Sequence, residues 1–384
     1  MSLRVALIAG EASGDQLGAG LMRALRKLEP DVSFEAVAGP RMRMIGCREI
    51  GDIEELSVMG LSEVVKELPR LIRLRRELAD YLIEDEPDVV IGIDAPDFNL
   101  GLEKRVRKAG IPTVHYVSPT VWAWRAGRVK TVAQAADLLL CLFPFEPDCY
   151  RGQNLKAVFA GHPLAVEIPG RADRAEARRF LKLPEKGPVV ALLPGSRSGE
   201  VSRLGPVFLD TAMKLKAERP ELEFVMPVPG DKVEAQLAAL PQWNRLEFPV
   251  RIVRSQPREC MAAADVVLAA SGTATMEAML LERPTVVAYK VSSLTHTLVK
   301  TFRLLKTPHV AMPNVLAGEM LMPEYLQSRA RPARLAAAVG ELLDDPDRRE
   351  ALSRRFAELA GELRSAGPEQ AAKAVLELVK RNRS

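Results

Sequence analysis

Eight short apolar runs recur along the chain, at residues 5–9, 89–93, 113–117, 138–142, 189–193, 223–228, 266–270 and 285–289, and stretches of helical period separate them. Strands that are apolar along their whole length are buried on both faces. When such strands alternate with helices, they belong to parallel sheets covered on both sides. The expected fold class is therefore α/β, built from doubly wound parallel sheets.

A chain of 384 residues has room for two domains of roughly 100–200 residues each. Apolar order gives way after Ala157-Val158-Phe159-Ala160-Gly161-His162-Pro163 to an Arg-rich stretch at 171–179, which places a linker near 164–174. The expected limits are 1–167 for an N-terminal domain and 168–344 for a C-terminal one. From about Arg331 the strand signal ends, and 332–343, 348–363 and 368–379 carry amphipathic helical patterns broken at Gly367-Pro368. A helical tail over 345–384 should pack back across the domain junction or onto a partner subunit.

Composition removes several function classes. The 54 Lys and Arg residues exceed the 50 Asp and Glu residues by four, which suits phosphorylated ligands or an anionic membrane surface and is too weak a bias for nucleic acid. Cys47, Cys141, Cys149 and Cys260 are scattered without metal-type or disulfide-type spacing, so a reducing cytoplasm is expected and no structural metal. The opening MSLRVALIAGEASGD meets Glu11 and Asp15 too soon for a signal peptide, and no run of about 18 apolar residues would span a bilayer.

Four loops at strand ends carry unusual polar residues, and ligands of parallel sheets collect there. Ala264 to Glu277 reads as a strand, a small-residue turn and a helix opening near Ala274, with Ser271, Thr273 and Thr275 as candidate caps. Free amides and the helix dipole make that turn an anion site. Glu277 falls in the first turn, where it either stabilises the helix start or accepts from a ribose diol. Leu193 to Glu200 adds exposed amides at Gly195 and Gly199 and a guanidinium at Arg197, suited to a diphosphate. Gly10 to Asp15 follows the first strand without the G-x-G-x-x-G spacing of dinucleotide folds. In Ile91 to Asn99, Pro96 stops a strand and Asp97 or Asn99 can cap the next helix, which leaves Asp94 as a general-base candidate; a metal-holding Asp94/Asp97 pair and a plain Asp-turn are the competing explanations.

Two features suggest lipid. Trp122 and Trp124, two of the chain's three tryptophans, suit sugar or lipid contact, although packing is the expectation for at least one of them. Val64, Val65, Leu68, Leu71 and Ile72 follow helical spacing among Lys66, Arg70, Arg73, Arg75 and Arg76, with Pro69 expected to kink or split the helix. Such a helix suits an anionic membrane surface or simply covers its own sheet. The stretch Leu298 to Lys306 repeats the basic-apolar pattern.

GEASGD (10–15), AGPRM (38–42), IDAPDFN (93–99), YVSPTVWAWR (116–125), LPGSR (193–197), SGTATMEAM (271–279) and MPNVLAG (312–318) resemble, in order and along essentially the whole chain, the motifs of the lipid-A-disaccharide synthase family. That resemblance implies the GT-B type of inverting glycosyltransferase, with two facing Rossmann-like domains. It implies transfer of 2,3-diacylglucosamine from UDP-2,3-diacylglucosamine to the 6-hydroxyl of 2,3-diacylglucosamine 1-phosphate, lipid X. By the same resemblance Asp94 is the base, Arg197, Ser271, Gly272, Thr273 and Ala274 serve the diphosphate, Glu277 holds ribose, and Asn314 and Gln327 lie near the donor. Glu11, Ser13 and Asp15 face the acceptor. No metal or other cofactor is implied. The acylated substrates imply a peripheral enzyme on the cytoplasmic face of the inner membrane, and the tail becomes a candidate for exchange within a homodimer. The alternatives are another UDP-sugar transferase or a UDP-N-acetylglucosamine epimerase on the same architecture and, in a different class, a non-catalytic UDP-sugar or lipid-binding protein.

Overall fold

The structure, a computed structural model, describes residues 2–56, 61–122, 127–291 and 307–383, with the side chains of 61–66 left aside. The chain divides into two compact units, residues 1–163 with 363–384, and residues 164–362. The first crossing thus falls at Pro163/Leu164, and the return falls inside the helix Pro346–Arg364, later than the limit of 344 expected from the pattern.

In the first unit, β1 (Arg4–Ala9), β2 (Ser33–Ala38), β3 (Arg48–Asp52), β4 (Val89–Ile93), β5 (Thr113–Tyr116), β6 (Leu138–Cys141) and β7 (Lys156–Phe159) form one parallel sheet in the order β3-β2-β1-β4-β5-β6-β7. β1 shows how the sheet is filled on both sides. Leu7 and Ala9 pack with the helix Ala12–Leu28 and with Ala371, Val375 and Leu378 of the last helix, Pro368–Arg383. Ala6 and Ile8 pack on the opposite face with Leu78, Leu82, Leu102 and Val106. The final helix is thus part of the first unit's core.

Residues 61–85 form one helix with Pro69 inside it. Its second half buries Leu78, Ala79 and Leu82. Upstream, Leu68 and Ile72 are 49% and 41% exposed, whereas Leu71 is half-buried.

The second unit carries β8 (Val189–Leu193), β9 (Glu223–Val228), β10 (Val250–Arg254), β11 (Val266–Ala270), β12 (Thr285–Tyr289) and β13 (Glu324–Leu326), all parallel, in the order β10-β9-β8-β11-β12-β13. Leu204, Val207 and Phe208 of the helix Ser198–Glu218 share its core with Leu335, Val339 and Leu342 of the helix Pro332–Asp344. Among the described residues no helix is long and apolar enough to cross a membrane.

Candidate functional site

In each sheet the strand order reverses at one point, between β1 and β4 in the first unit and between β8 and β11 in the second. Loops leaving the carboxyl ends of such a strand pair diverge and open a crevice. The four polar loops singled out in the sequence are the loops that leave these four strands.

In the first unit, a Cβ on Gly10 would lie 2.4 Å from the Ala95 Cβ, so only glycine lets the loop after β1 approach the loop after β4 this closely. Asp94 and Ala95 hold φ values of 54° and 43°, a left-handed backbone that costs of order 1–3 kcal/mol per non-glycine residue. Asn99, expected as a helix cap, instead lies buried under this turn; its Nδ2 donates to the Asp94 carbonyl at 2.9 Å and to the Ile8 and Ile93 carbonyls at 3.3 Å. Deeper still, the fully buried Glu103 Oε1 and His115 Nδ1 are 2.7 Å apart and tie the helix Pro96–Lys108 to β5.

The strained turn opens on a cavity of about 480 Å³ lined by Asp94, Asp97, Ser118, Thr120, Arg128 and Glu146, together with Val117 at φ 88°. Burial pushes the Asp94 pKa up; the charge of Glu11 and a hydrogen bond with its carboxyl add to this, against the Ala95 N–H and the neighbouring His115. Such a carboxylate is a stronger base than an ordinary aspartate. Burial also pushes Glu146 up to about 7, although it accepts from the Leu142 and Phe143 amides and from the Trp122 indole N–H. Trp122 stands edge-on to Phe145, 5.5 Å between ring centroids, so it is a packing residue. Trp124 and the Leu298 to Lys306 stretch lie outside the described residues, as do the side chains of Val64 and Val65.

The acceptor-side expectation divides. Glu11 is exposed and accepts from the Ser13 hydroxyl at 2.7 Å. Asp15 does not face the cavity: it is 2% exposed, and its two oxygens accept from the Gly39, Arg41 and Met42 amides at 2.9, 2.8 and 3.0 Å. It anchors the start of the helix Pro40–Ile45, because a buried carboxylate needs several donors to offset its lost hydration.

In the second unit, Gly195 at φ 125° turns the chain after β8. A Cβ there would meet Glu200, whose Oε2 accepts from the Ser196 and Arg197 amides at 3.2 and 3.5 Å. The Arg197 side chain is 85% exposed, with its guanidinium 3.7 Å from Glu200. After β11, none of the expected side-chain caps forms. Gly272 is the N-cap residue of the helix Thr273–Leu280, and the Thr275 hydroxyl donates to the Gly272 carbonyl at 2.8 Å. The Thr275 amide turns back to the Gly272 carbonyl at 3.1 Å, so the amides ahead of it at the helix start carry no side-chain acceptor, the condition for an anion site. Glu277 accepts from Arg258 Nε at 2.9 Å, while Arg258 Nη2 donates to Glu167 at 3.0 Å.

A cavity of about 650 Å³ gathers Arg197, Ser271, Gly272, Thr273, Ala274 and Glu277, with Tyr289 and Ser255 on its wall. Six of the eight expected donor residues thus meet in one cleft. Asn314 does not: it is fully buried, its Nδ2 donating to the Met322 carbonyl and to Glu324 Oε1 and its Oδ1 accepting from the Met322 amide. Both amide hydrogens are used within the protein, and full burial keeps the side chain out of the cleft. Gln327 sits just past the carboxyl end of β13 at φ 50° and is not among the residues lining the cleft. Among the described residues no three His, Cys, Asp or Glu side chains converge as a metal site, and Asp97 is ion-paired with Arg128. Arg258 and Glu146 had no motif to mark them in the sequence.

Residues 5–375 match the family model described as lipid-A-disaccharide synthetase. The chain is 52% identical over 379 residues to a lipid-A-disaccharide synthase of Pseudomonas aeruginosa, covering 99% of each, and 49% identical to that of Alkalilimnicola ehrlichii, covering 97% of this chain and 98% of the other. Among solved structures it resembles a UDP-GlcNAc 2-epimerase from Neisseria meningitidis bound to UDP-GlcNAc (TM-score 0.64, 13% identity, 99% and 100% covered). It also resembles the glycotransferase of kitacinnamycin (TM-score 0.63, 17% identity, 98% and 99% covered). These likenesses show the fold, two Rossmann-like α/β domains of GT-B type. With residues 5–375 matched and its two crevices furnished as described, the chain belongs to the lipid-A-disaccharide synthetase family.

Proposed function

We propose that the C-terminal cleft takes the UDP-sugar donor and that the cavity at Asp94 takes the acceptor sugar. The activity is that of the family: 2,3-diacylglucosamine passes from UDP-2,3-diacylglucosamine to the 6-hydroxyl of lipid X, and UDP leaves. The observation that carries the assignment is the convergence of Arg197, the uncapped helix start and Glu277 on one cleft of nucleotide size. Inversion needs a single displacement. Asp94 accepts the proton of the 6-hydroxyl as its oxygen bonds to the anomeric carbon, while the bond to the diphosphate breaks and its electron pair leaves with UDP. Arg197 and the helix amides receive that developing charge. Glu277, oriented by Arg258, accepts from the ribose hydroxyls. We assign no step to a metal.

Calorimetry tests the donor half. Arg197→Ala should weaken UDP by about tenfold or more and leave uridine almost unchanged, since a charged hydrogen bond contributes about 1.5–3 kcal/mol. Glu277→Ala should weaken both ligands. Unchanged UDP affinity in both folded variants would remove the cleft from donor binding.

We further propose that the enzyme works as a peripheral protein on the cytoplasmic face of the inner membrane, a reading that the acyl chains of its substrates support. The exposure of Leu68 and Ile72, with Arg70, Arg73 and Arg76 exposed among them, supports contact with an anionic bilayer. Changing Leu68 and Ile72 together to Ser should reduce sedimentation with anionic vesicles at unchanged melting temperature, because neither side chain is core. Full sedimentation of that variant would place the contact elsewhere.

A further inference from the structure

The acceptor assigned above carries two features that any binding site must separate: a reactive 6-hydroxyl and, across the same ring, an anomeric phosphate. Among the described residues, the cavity at Asp94 is lined by three carboxylic acids, Asp94, Asp97 and Glu146, and by one cation, Arg128. A phosphate dianion cannot rest beside those acids without a counter-charge, and Arg128 is the counter-charge that the described lining offers.

Arg128 opens the helix Arg128–Ala135, whose start has no side-chain cap, and its own side chain is 23% exposed. It is ion-paired to Asp97, which is 81% exposed on the rim of the same cavity. An exposed carboxylate holds its partner weakly, because water competes for both groups. Phosphate presents more acceptor oxygens and up to two charges to the same planar fork, and Asp97, on the exposed rim, is poorly placed to compete with it. Burial pushes Glu146 up to about 7, so it opposes a dianion less than an ordinary carboxylate would.

Resting on the acceptor assignment, we infer that Arg128 is the residue that selects an acceptor phosphorylated at its anomeric carbon, with Asp97 occupying the guanidinium until that phosphate displaces it. The cavity, about 480 Å³, has room for one hexosamine ring with its 6-hydroxyl at Asp94 and its phosphate at Arg128. The selection is a difference in affinity between two acceptors, which a general structural role for Arg128 would not produce.

The test compares lipid X with its dephosphorylated counterpart, 2,3-diacylglucosamine, as acceptors in the same detergent, with donor saturating. In the unaltered protein KM should be lower for the phosphorylated acceptor. Arg128→Gln should raise KM for lipid X about 10-fold to 100-fold and leave KM for the dephosphorylated acceptor within about twofold. Arg128→Lys should fall between, because it keeps the charge and loses the fork. Asp97→Asn should lower KM for lipid X alone, because it frees the guanidinium. Lys130→Gln, on the same helix and not among the cavity's lining residues, controls for the loss of one positive charge. Equal effects of Arg128→Gln on both acceptors, or an equal phosphate-specific loss in Lys130→Gln, would overturn the proposal. Should Arg128→Gln fail to fold, Arg128→Lys and Asp97→Asn still decide, since only displacement predicts opposite shifts of KM confined to lipid X. Failure of the unaltered protein to use either acceptor would instead overturn the acceptor assignment itself.

Discussion

Asp94→Asn should lower turnover at saturating substrates by roughly 100-fold to 10,000-fold while UDP affinity stays within error of the unaltered protein. The substitution isolates the proton acceptor. Asparagine has nearly the same shape, and it is one of the few residues that tolerates the left-handed backbone Asp94 adopts, so the turn held by Asn99 should survive. The pH profile gives an independent readout. A general base works only when ionised, so kcat/KM falls as pH drops through its pKa. Burial and Glu11 raise that pKa, and the acidic limb should therefore lie above the range of an ordinary aspartate. Glu11→Gln removes a negative neighbour and should move the limb to lower pH, and Asp94→Asn should flatten it. If an Asp94/Asp97 pair held a metal instead, Asp97→Asn would damage kcat as severely as Asp94→Asn and EDTA would abolish activity. The account expects Asp97→Asn to leave kcat near normal and EDTA to change little. Near-normal turnover of a folded Asp94→Asn protein would remove Asp94 from the chemistry.

The central strands were legible because burial on both faces leaves no room for polar residues, and Val89–Ile93, Val189–Leu193 and Val266–Ala270 coincide with the apolar runs. The strands that escaped notice are those with a wet side or a free edge. β3 (REIGD) and β10 (VRIVR) end their sheets and carry charge, β13 is three residues long, and β2 puts Glu35 beside Arg4. The site loops were legible for a different reason: small residues, glycine and caps at strand ends mark anion sites locally.

Local patterns did not reveal how polar side chains would be used. Asp15 and Asn314 have the residue types of ligand contacts, yet each is enclosed and engaged by backbone groups 24 or more residues away in one case and eight in the other. Whether an acid faces a cavity or a buried turn depends on the packing around it. Arg258 illustrates the converse, since its value lies in bridging Glu277 and Glu167, 19 and 91 residues distant.

If both acylated sugars are substrates of one displacement, release of UDP depends on the presence of both. With UDP-2,3-diacylglucosamine and lipid X together in detergent, UDP should appear in step with a disaccharide 1-phosphate. With UDP-2,3-diacylglucosamine alone the rate should drop to background, because a single displacement has no step without the acceptor hydroxyl; UDP-N-acetylglucosamine alone should be neither hydrolysed nor epimerised. UDP release that is independent of lipid X, epimerisation of UDP-N-acetylglucosamine, or tight binding of both substrates without any release of UDP would contradict the account.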